Sequence, residues 1–307
     1  MKIIYLGTPD FAVAPLRKII ESGFEVVAVV SQPDRPVGRK REILPTPVKA
    51  AAMEYNIPVY QFEKIRNEYQ PLKELGADIM ITCAYGQILT REVLDITPKG
   101  VFNIHASLLP KYRGASPIQS CILNGDKITG VTVMKTDIGV DTGDIVLTSQ
   151  TEIAPQETAG ELFDRLSVVG GEVIVKALKL IEKGEETYTK QNEAEASHCK
   201  MISKSDCQID FTLSAEQIVN RVRAFNPAPI AFTKFNSKGL KIYKAEEVNY
   251  KGEAGVVIFA DRQNGLIIGC GENAIKVLEL QEEGGKRMSA FDFVLGRKLK
   301  QGDKAEL

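Results

Sequence analysis

The stretch Gly100-Val101-Phe102-Asn103-Ile104-His105-Ala106-Ser107-Leu108-Leu109-Pro110 decides the fold. Its first six residues read as a strand. Side chains alternate along a strand, so Asn103 and His105 share one face. The Ser-Leu-Leu-Pro turn that follows carries the chain out of the sheet, where open α/β folds build their sites. His105 is one of only two histidines in 307 residues. An amide and an imidazole side by side can both donate to a single developing oxyanion. The plainer reading is a satisfied polar pair at a strand end.

Upstream of this stretch, short apolar strands alternate with helices. Lys2 to Leu6, Glu25 to Ser31, Ile57 to Tyr60 and Asp78 to Cys83 read as strands. Helices are expected after Gly7-Thr8-Pro9-Asp10, from Pro47 to Tyr55 and from Gln87 to Leu94. That alternation predicts an α/β domain with a mostly parallel sheet covered by helices on both faces. Downstream, two strands flank the polar turn 137–144. Thr158-Ala159-Gly160-Glu161 is a capping box opening a helix to about Lys183. From Thr187 to Cys207 the chain is polar and without period, which reads as a linker. Ser214 caps another helix, and five short strand-like pieces then follow within about 80 residues, which suggests a small barrel. The expected organisation is residues 1–188 as one domain, 189–206 as a linker and 207–307 as a second, barrel-like domain.

Composition narrows the class. The length favours two domains over one. A hydrophobic content of 44% and a charged content of 26% fit an ordinary globular protein. A net charge of −1 gives no global basic field, so any nucleic acid has to be held by a local patch. Five scattered cysteines argue against a disulfide framework and for a reducing compartment. The Met1 end reads as a strand rather than a signal peptide, and no apolar run is long enough to span a membrane. A cytoplasmic protein with no membrane partner is expected. His198, Cys199 and Cys207 match no zinc spacing, so no metal is expected. Gly7-Thr8-Pro9-Asp10 is no GxGxxG fingerprint, so no nicotinamide is expected either.

Asp141 completes a candidate catalytic set with Asn103 and His105. It lies between Gly139 and Gly143, whose freedom to adopt unusual dihedrals is expected to aim the carboxylate inward. A carboxylate beside an imidazole orients the ring and favours its charged form. On the residues alone, a simple turn-forming aspartate is the competing account.

Phe102-Asn103-Ile104-His105-Ala106-Ser107-Leu108-Leu109-Pro110-Lys111-Tyr112-Arg113-Gly114 resembles the signature of the folate-dependent formyltransferases. Asp137-Ile138-Gly139-Val140-Asp141-Thr142-Gly143-Asp144 resembles their second signature. Leu6-Gly7-Thr8-Pro9-Asp10-Phe11-Ala12, Gln32-Pro33-Asp34-Arg35-Pro36, Ala84-Tyr85-Gly86 and Ala224-Phe225-Asn226-Pro227 narrow the resemblance to the members acting on methionyl initiator tRNA. The similarity runs over essentially the whole chain and implies a Rossmann-like formyltransferase domain, a linker and an OB-like barrel. It implies Asn103, His105 and Asp141 as catalytic residues and 10-formyltetrahydrofolate as co-substrate. It points to Ser107, Leu108, Leu109, Pro110, Gln87, Ile88, Leu89 and Val140 for folate, and leans toward a monomer.

For tRNA, the basic loop 33–49 is the leading feature, with Arg35, Arg39, Lys40, Arg41 and Lys49. The resemblance places it at the end of the acceptor stem. Where the family often has a second glycine after the loop arginine, this chain has Lys40. Lys286, Arg287, Arg297, Lys298 and Lys300 are the candidates in the second domain. Residues 207–307 carry 15 Lys+Arg against 13 Asp+Glu, so binding there is expected to be weak and salt-sensitive. Tyr112 and Ala228 stand where the family often has tryptophan. Two other readings remain open here: a relative that formylates a small amine such as an amino-sugar nucleotide, and a folate- or tRNA-binding module without activity.

Overall fold

The computed structural model describes residues 1–38, 41–296 and 298–306. The chain divides into two compact units. The first comprises 1–117, 128–152 and 163–199; the second comprises 118–127, 153–162 and 200–307.

The first unit is built on a seven-stranded sheet. Its order is Ile145–Glu152, Ile128–Lys135, Val101–His105, Ile79–Cys83, Lys2–Gly7, Glu25–Ser31 and Val59–Gln61. The five strands from Val101–His105 to Val59–Gln61 run parallel, and the other two are antiparallel at one edge. The parallel strands are buried on both faces, which explains their near-continuous apolar runs. Alternation sorts the side chains: Ile4, Leu6, Ala28, Val30, Met80 and Val101 join one core cluster with Phe62, Leu72 and Leu94. Most of the long helix Ala159–Lys183 lies in this unit. It approaches the sheet at Gly170, where an added Cβ would sit 3.1 Å from Ile104. A larger residue there would crowd the Ile104 side chain, between Asn103 and His105 on the strand.

Several elements differ from expectation. Only Arg91–Leu94 of the expected helix 87–94 is helical. The reason lies in Gln87, whose Oε1 accepts from the Ile65 N–H at 2.8 Å and whose Nε2 donates to the Phe62 carbonyl at 2.9 Å. Those bonds tie the segment sideways to a neighbouring loop. The basic loop 33–49 contains a short antiparallel hairpin, Arg35–Val37 with Glu42–Leu44. Residues 189–199, expected as linker, cluster with the first unit. His198–Cys199 adds to Arg113–Gly114 as a parallel two-residue pair, and Thr189 bridges Ile145.

In the second unit the Ser214 capping box forms as expected and opens the helix Ala215–Ala224. The strands Val257–Asp261, Gly265–Gly269, Ala274–Glu282, Lys238–Val248, Ala231–Phe235 and Ala305–Glu306 lie in that order. The sheet curls until the C-terminal segment joins its two edges. Ala305 pairs with Phe235, while Lys304 bridges Val256 and the Val257 N–H donates to the Asp303 carbonyl at 2.8 Å. Five strands were expected; the closing strand is two residues long and has no sequence period to reveal it. Satisfying both edges removes a template for unwanted strand pairing.

Candidate active site

Asn103 and His105 stand at the carboxyl end of the strand Val101–His105, on the same face as Val101 of the core. Each is oriented by a neighbour. Thr82, on the adjacent strand, donates its hydroxyl to Asn103 Oδ1 at 2.9 Å. That fixes the amide, so Nδ2 faces away from Thr82 and toward Asp141 Oδ1, 3.4 Å distant. His105 is 6% exposed, and its Nε2 lies 2.9 Å from the Tyr112 carbonyl. A carbonyl only accepts, so Nε2 carries a proton and donates it there. The other ring nitrogen, Nδ1, faces Asp141 Oδ2 at 3.6 Å, an ion pair when the ring is protonated.

Asp141 is held from three sides. The Gly114 N–H donates to its Oδ2 at 2.8 Å. Gln191 Nε2 donates to its backbone carbonyl at 2.8 Å and to that of Gly143 at 2.7 Å. The backbone strain lies at Asp141 itself, whose φ is +54°. This corrects the expectation for the flanking glycines: neither Gly139 nor Gly143 takes a positive φ. Gly143 is required for close approach, since a Cβ there would sit 1.7 Å from the Lys135 carbonyl. A non-glycine residue held at positive φ needs surroundings that over-determine it, and these bonds supply them.

The Ser107–Pro110 turn is anchored to the neighbouring strand by one hydroxyl. Thr132 Oγ1 donates to the Ser107 carbonyl at 2.7 Å and accepts from the Leu109 N–H at 3.1 Å. Ser107 Oγ donates to the Lys111 carbonyl at 2.6 Å. The side chains expected to line a folate pocket divide into two groups. Leu89 and Leu109 are buried, Leu89 within the core cluster, and the Gln87 amide is spent on the loop contacts already given. Ile88 and Val140 are 80% and 60% exposed, and Leu108 and Pro110 are half-buried. The second group offers apolar surface to a ligand.

Among the basic residues, Arg35 pairs with Glu63 at 2.6 Å and both are exposed. Arg41 is exposed at the hairpin turn with φ +52°. Lys49 is committed to the base of the hairpin. Its Nζ donates to Asp34 Oδ2 at 2.5 Å and to Gln61 Oε1 at 2.7 Å. Burial raises the Asp34 pKa, and the bonds from Lys49, Gln61 and Thr46 outweigh it, holding the carboxyl below its ordinary value. In the second unit, Arg287 chelates Glu279 and its guanidinium lies 4.3 Å from the Tyr243 ring centre. Lys298 pairs with Glu282; Lys286 and Lys300 are exposed. Arg39, Lys40 and Arg297 lie outside the described residues.

Thr82, the Tyr112 carbonyl, the Gly114 N–H, Thr132 and Gln191 are site residues that sequence reasoning missed. Arg113-Gly114 stood in the quoted signature, which was the available signal. Gln191 had none, lying in a polar stretch without period. Among the described residues no three His, Cys, Asp or Glu side chains gather to hold a metal.

Polar groups gathered around one point suit transfer chemistry. The separations of 3.4 Å and 3.6 Å are too long for strong bonds among Asn103, His105 and Asp141 themselves. A substrate can draw them together. Residues 1–178 match the formyl transferase family and residues 201–298 its C-terminal domain. A methionyl-tRNA formyltransferase of Neisseria meningitidis serogroup B is 46% identical, over 99% of this chain and 100% of its own length. The chain belongs to the methionyl-tRNA formyltransferase family. Another member, from Geobacter metallireducens, is 44% identical over 98% of this chain and 97% of its own. Among solved structures, an N-formyltransferase of Helicobacter canadensis, complexed with folinic acid and dTDP-3-aminofucose, superposes with a TM-score of 0.69. It is 25% identical and covers 90% of this chain and 99% of its own. Among the described residues no helix is long and apolar enough to cross a membrane.

Proposed function

We propose that this chain transfers the formyl group of 10-formyltetrahydrofolate to the amino group of methionine on initiator tRNA. It would act in the cytoplasm, as a monomer, and serve translation initiation. The observation that supports the chemistry is the convergence of Asn103 Nδ2, His105 Nδ1 and the Asp141 carboxylate. The neutral amine attacks the formyl carbon, a C–N bond forms, and negative charge gathers on the formyl oxygen. Asn103 stabilises that oxygen with the Nδ2–H, and His105 donates to it from Nδ1 when that nitrogen carries a hydrogen. Asp141 orients His105 and takes the amine proton, directly or through water, for return to the departing folate nitrogen. The folate is a co-substrate; Leu108, Pro110, Ile88 and Val140 would meet its flat ring, an apolar lining typical of such pockets. Ser107 and Leu109 act through the backbone bonds that fix the turn.

The acceptor assignment rests on the relatives. Those at 44–46% identity over the full length are named for methionyl-tRNA, whereas the N-formyltransferase crystallised with an amino-sugar nucleotide is 25% identical. The basic loop 33–49, with Arg35, Arg39, Lys40 and Arg41, would meet the acceptor end, and Lys286, Arg287 and Arg297 the tRNA backbone. Labelled 10-formyltetrahydrofolate offered to methionyl initiator tRNA, methionyl elongator tRNA and an amino-sugar nucleotide tests the whole reading. Transfer to the initiator alone is expected. Transfer to the sugar nucleotide alone would keep the triad and overturn the acceptor.

A further inference from the structure

We infer that Gln191 and Arg113 are positioning residues for Asp141, so that residues 189–199 belong to the catalytic apparatus; this rests on the formyl-transfer reading above. Arg113 is 2% exposed. A buried guanidinium left without partners costs several kcal/mol, so its donors have to be taken up. Nη1 and Nη2 chelate Glu193 at 2.9 Å and 2.7 Å. Nε and Nη2 both donate to Gln191 Oε1, at 3.0 Å and 2.9 Å. With its oxygen claimed by two cationic donors, the Gln191 amide has one orientation. Its Nε2 must face the carbonyls of Asp141 and Gly143, and it donates to both. A second clamp comes from the next residue along the chain. Gly114 supplies the N–H that holds Asp141 Oδ2 at 2.8 Å. Gly114 is kept in place by its pairing with Cys199, whose carbonyl would lie 2.3 Å from any Cβ at position 114. Arg113 and Gly114 therefore grip the same aspartate by two routes, backbone to carboxylate and side chain through Gln191 to backbone. Neither Arg113 nor Gln191 reaches the reacting atoms; both act through Asp141.

The test is a double-mutant cycle read by single-turnover formyl transfer in the full chain. Gln191→Ala should lower the transfer rate about 10- to 100-fold, the scale of a misplacement near 1 Å. KM for folate and for the acceptor should change less than about threefold. In an Asp141→Asn background the same substitution should change the rate less than about threefold, because the group it positions is already disabled. Gln191→Glu keeps the acceptor for Arg113 but turns an oxygen on the two carbonyls; it should lose at least as much as Gln191→Ala. Hydrogen exchange at the Gly114 amide provides a readout independent of acceptor, and should speed at least tenfold in both variants if they remain folded by circular dichroism. Equal losses in both backgrounds, wild-type rates in Gln191→Glu, or unchanged exchange at Gly114 would each overturn the inference. Failure of the wild type to transfer to any acceptor would instead overturn the functional reading, with the exchange measurement still deciding the brace.

Discussion

The Asp141 turn and the 35–44 hairpin are both polar segments with glycine in the sequence, and the folded molecule treats them in opposite ways. Asp141 is about one-seventh exposed and is fixed by Gly114 and Gln191 while facing Asn103 and His105. The hairpin has three residues on each side, and Arg35, Ile43 and Leu44 stand exposed. It is rooted mainly at its base, through Asp34, Lys49 and Gln61. The contrast separates two physical requirements. A proton acceptor must already be placed when the reaction starts, because reorganisation would add to the barrier. A surface that meets a large partner must instead leave its side chains uncovered.

Substitution should affect the two regions unequally. The largest effects belong to the buried turn. Asn103→Ala and Asp141→Asn should each cost at least about 2.7–4 kcal/mol in transition-state stabilisation, as for one oxyanion donor. Steady-state kcat on methionyl initiator tRNA measures this, and near-native turnover would mean the site is misassigned. Gln191→Ala comes next, with the 10- to 100-fold loss derived above.

The hairpin should respond differently in kind as well as size. Arg39→Ala and Arg41→Ala should lower kcat/KM for the tRNA by a few-fold to about tenfold and leave folate binding intact. Removing one phosphate contact should flatten the salt dependence of tRNA binding by about one unit of slope. For Arg41→Ala stability should stay within about 0.5 kcal/mol, as for other surface changes. An unchanged kcat/KM would remove the hairpin from the acceptor site and leave the comparison with only its buried side.

The smallest effect is expected at the root of the hairpin. Asp34 is held below its ordinary pKa despite the opposing effect of burial. A carboxyl lowered on folding adds stability above its unfolded value, near about 3.9. That stability is lost as pH falls through the folded value. Asp34→Asn should therefore cost about 1 kcal/mol near neutrality, with the difference from wild type shrinking below about pH 4. Denaturant titration at the two pH values checks it; a difference that grows on acidification would contradict the assignment.

Much of the fold was legible because its signals are local. The parallel strands are buried on both faces and announce themselves as apolar runs, and Ser214 caps a helix by bonding three residues ahead. The proposed catalytic set was legible for a related reason. Asn103 and His105 are two apart on a strand, and alternation alone puts them on one face. Where reading by period failed, the deciding bond came from far along the chain. The 87–94 segment is only partly helical because Gln87 is bonded to Phe62 and Ile65. Leu89 and Lys49 show the same limit at single residues, the first drawn into the core and the second into a salt bridge.

By itself, then, the sequence determined the class of the first domain, the family, and which side chains could carry acyl chemistry. It did so because strand alternation and capping act between near neighbours and each signature is a short contiguous run. Tertiary structure alone decided that residues 189–199 bond to the Asp141 turn, that the strain sits on Asp141 rather than on its glycines, and that the C-terminal strand closes the second sheet. Each of these depends on partners far apart along the chain, such as Gly143 with Gln191, 48 residues apart, and Tyr112 with Ser197, 85 apart. A polar residue in a stretch without period carries no mark of the partner it will meet. Only the folded chain, by burying Arg113 and forcing its donors to be satisfied, gives Gln191 its orientation and Asp141 its place.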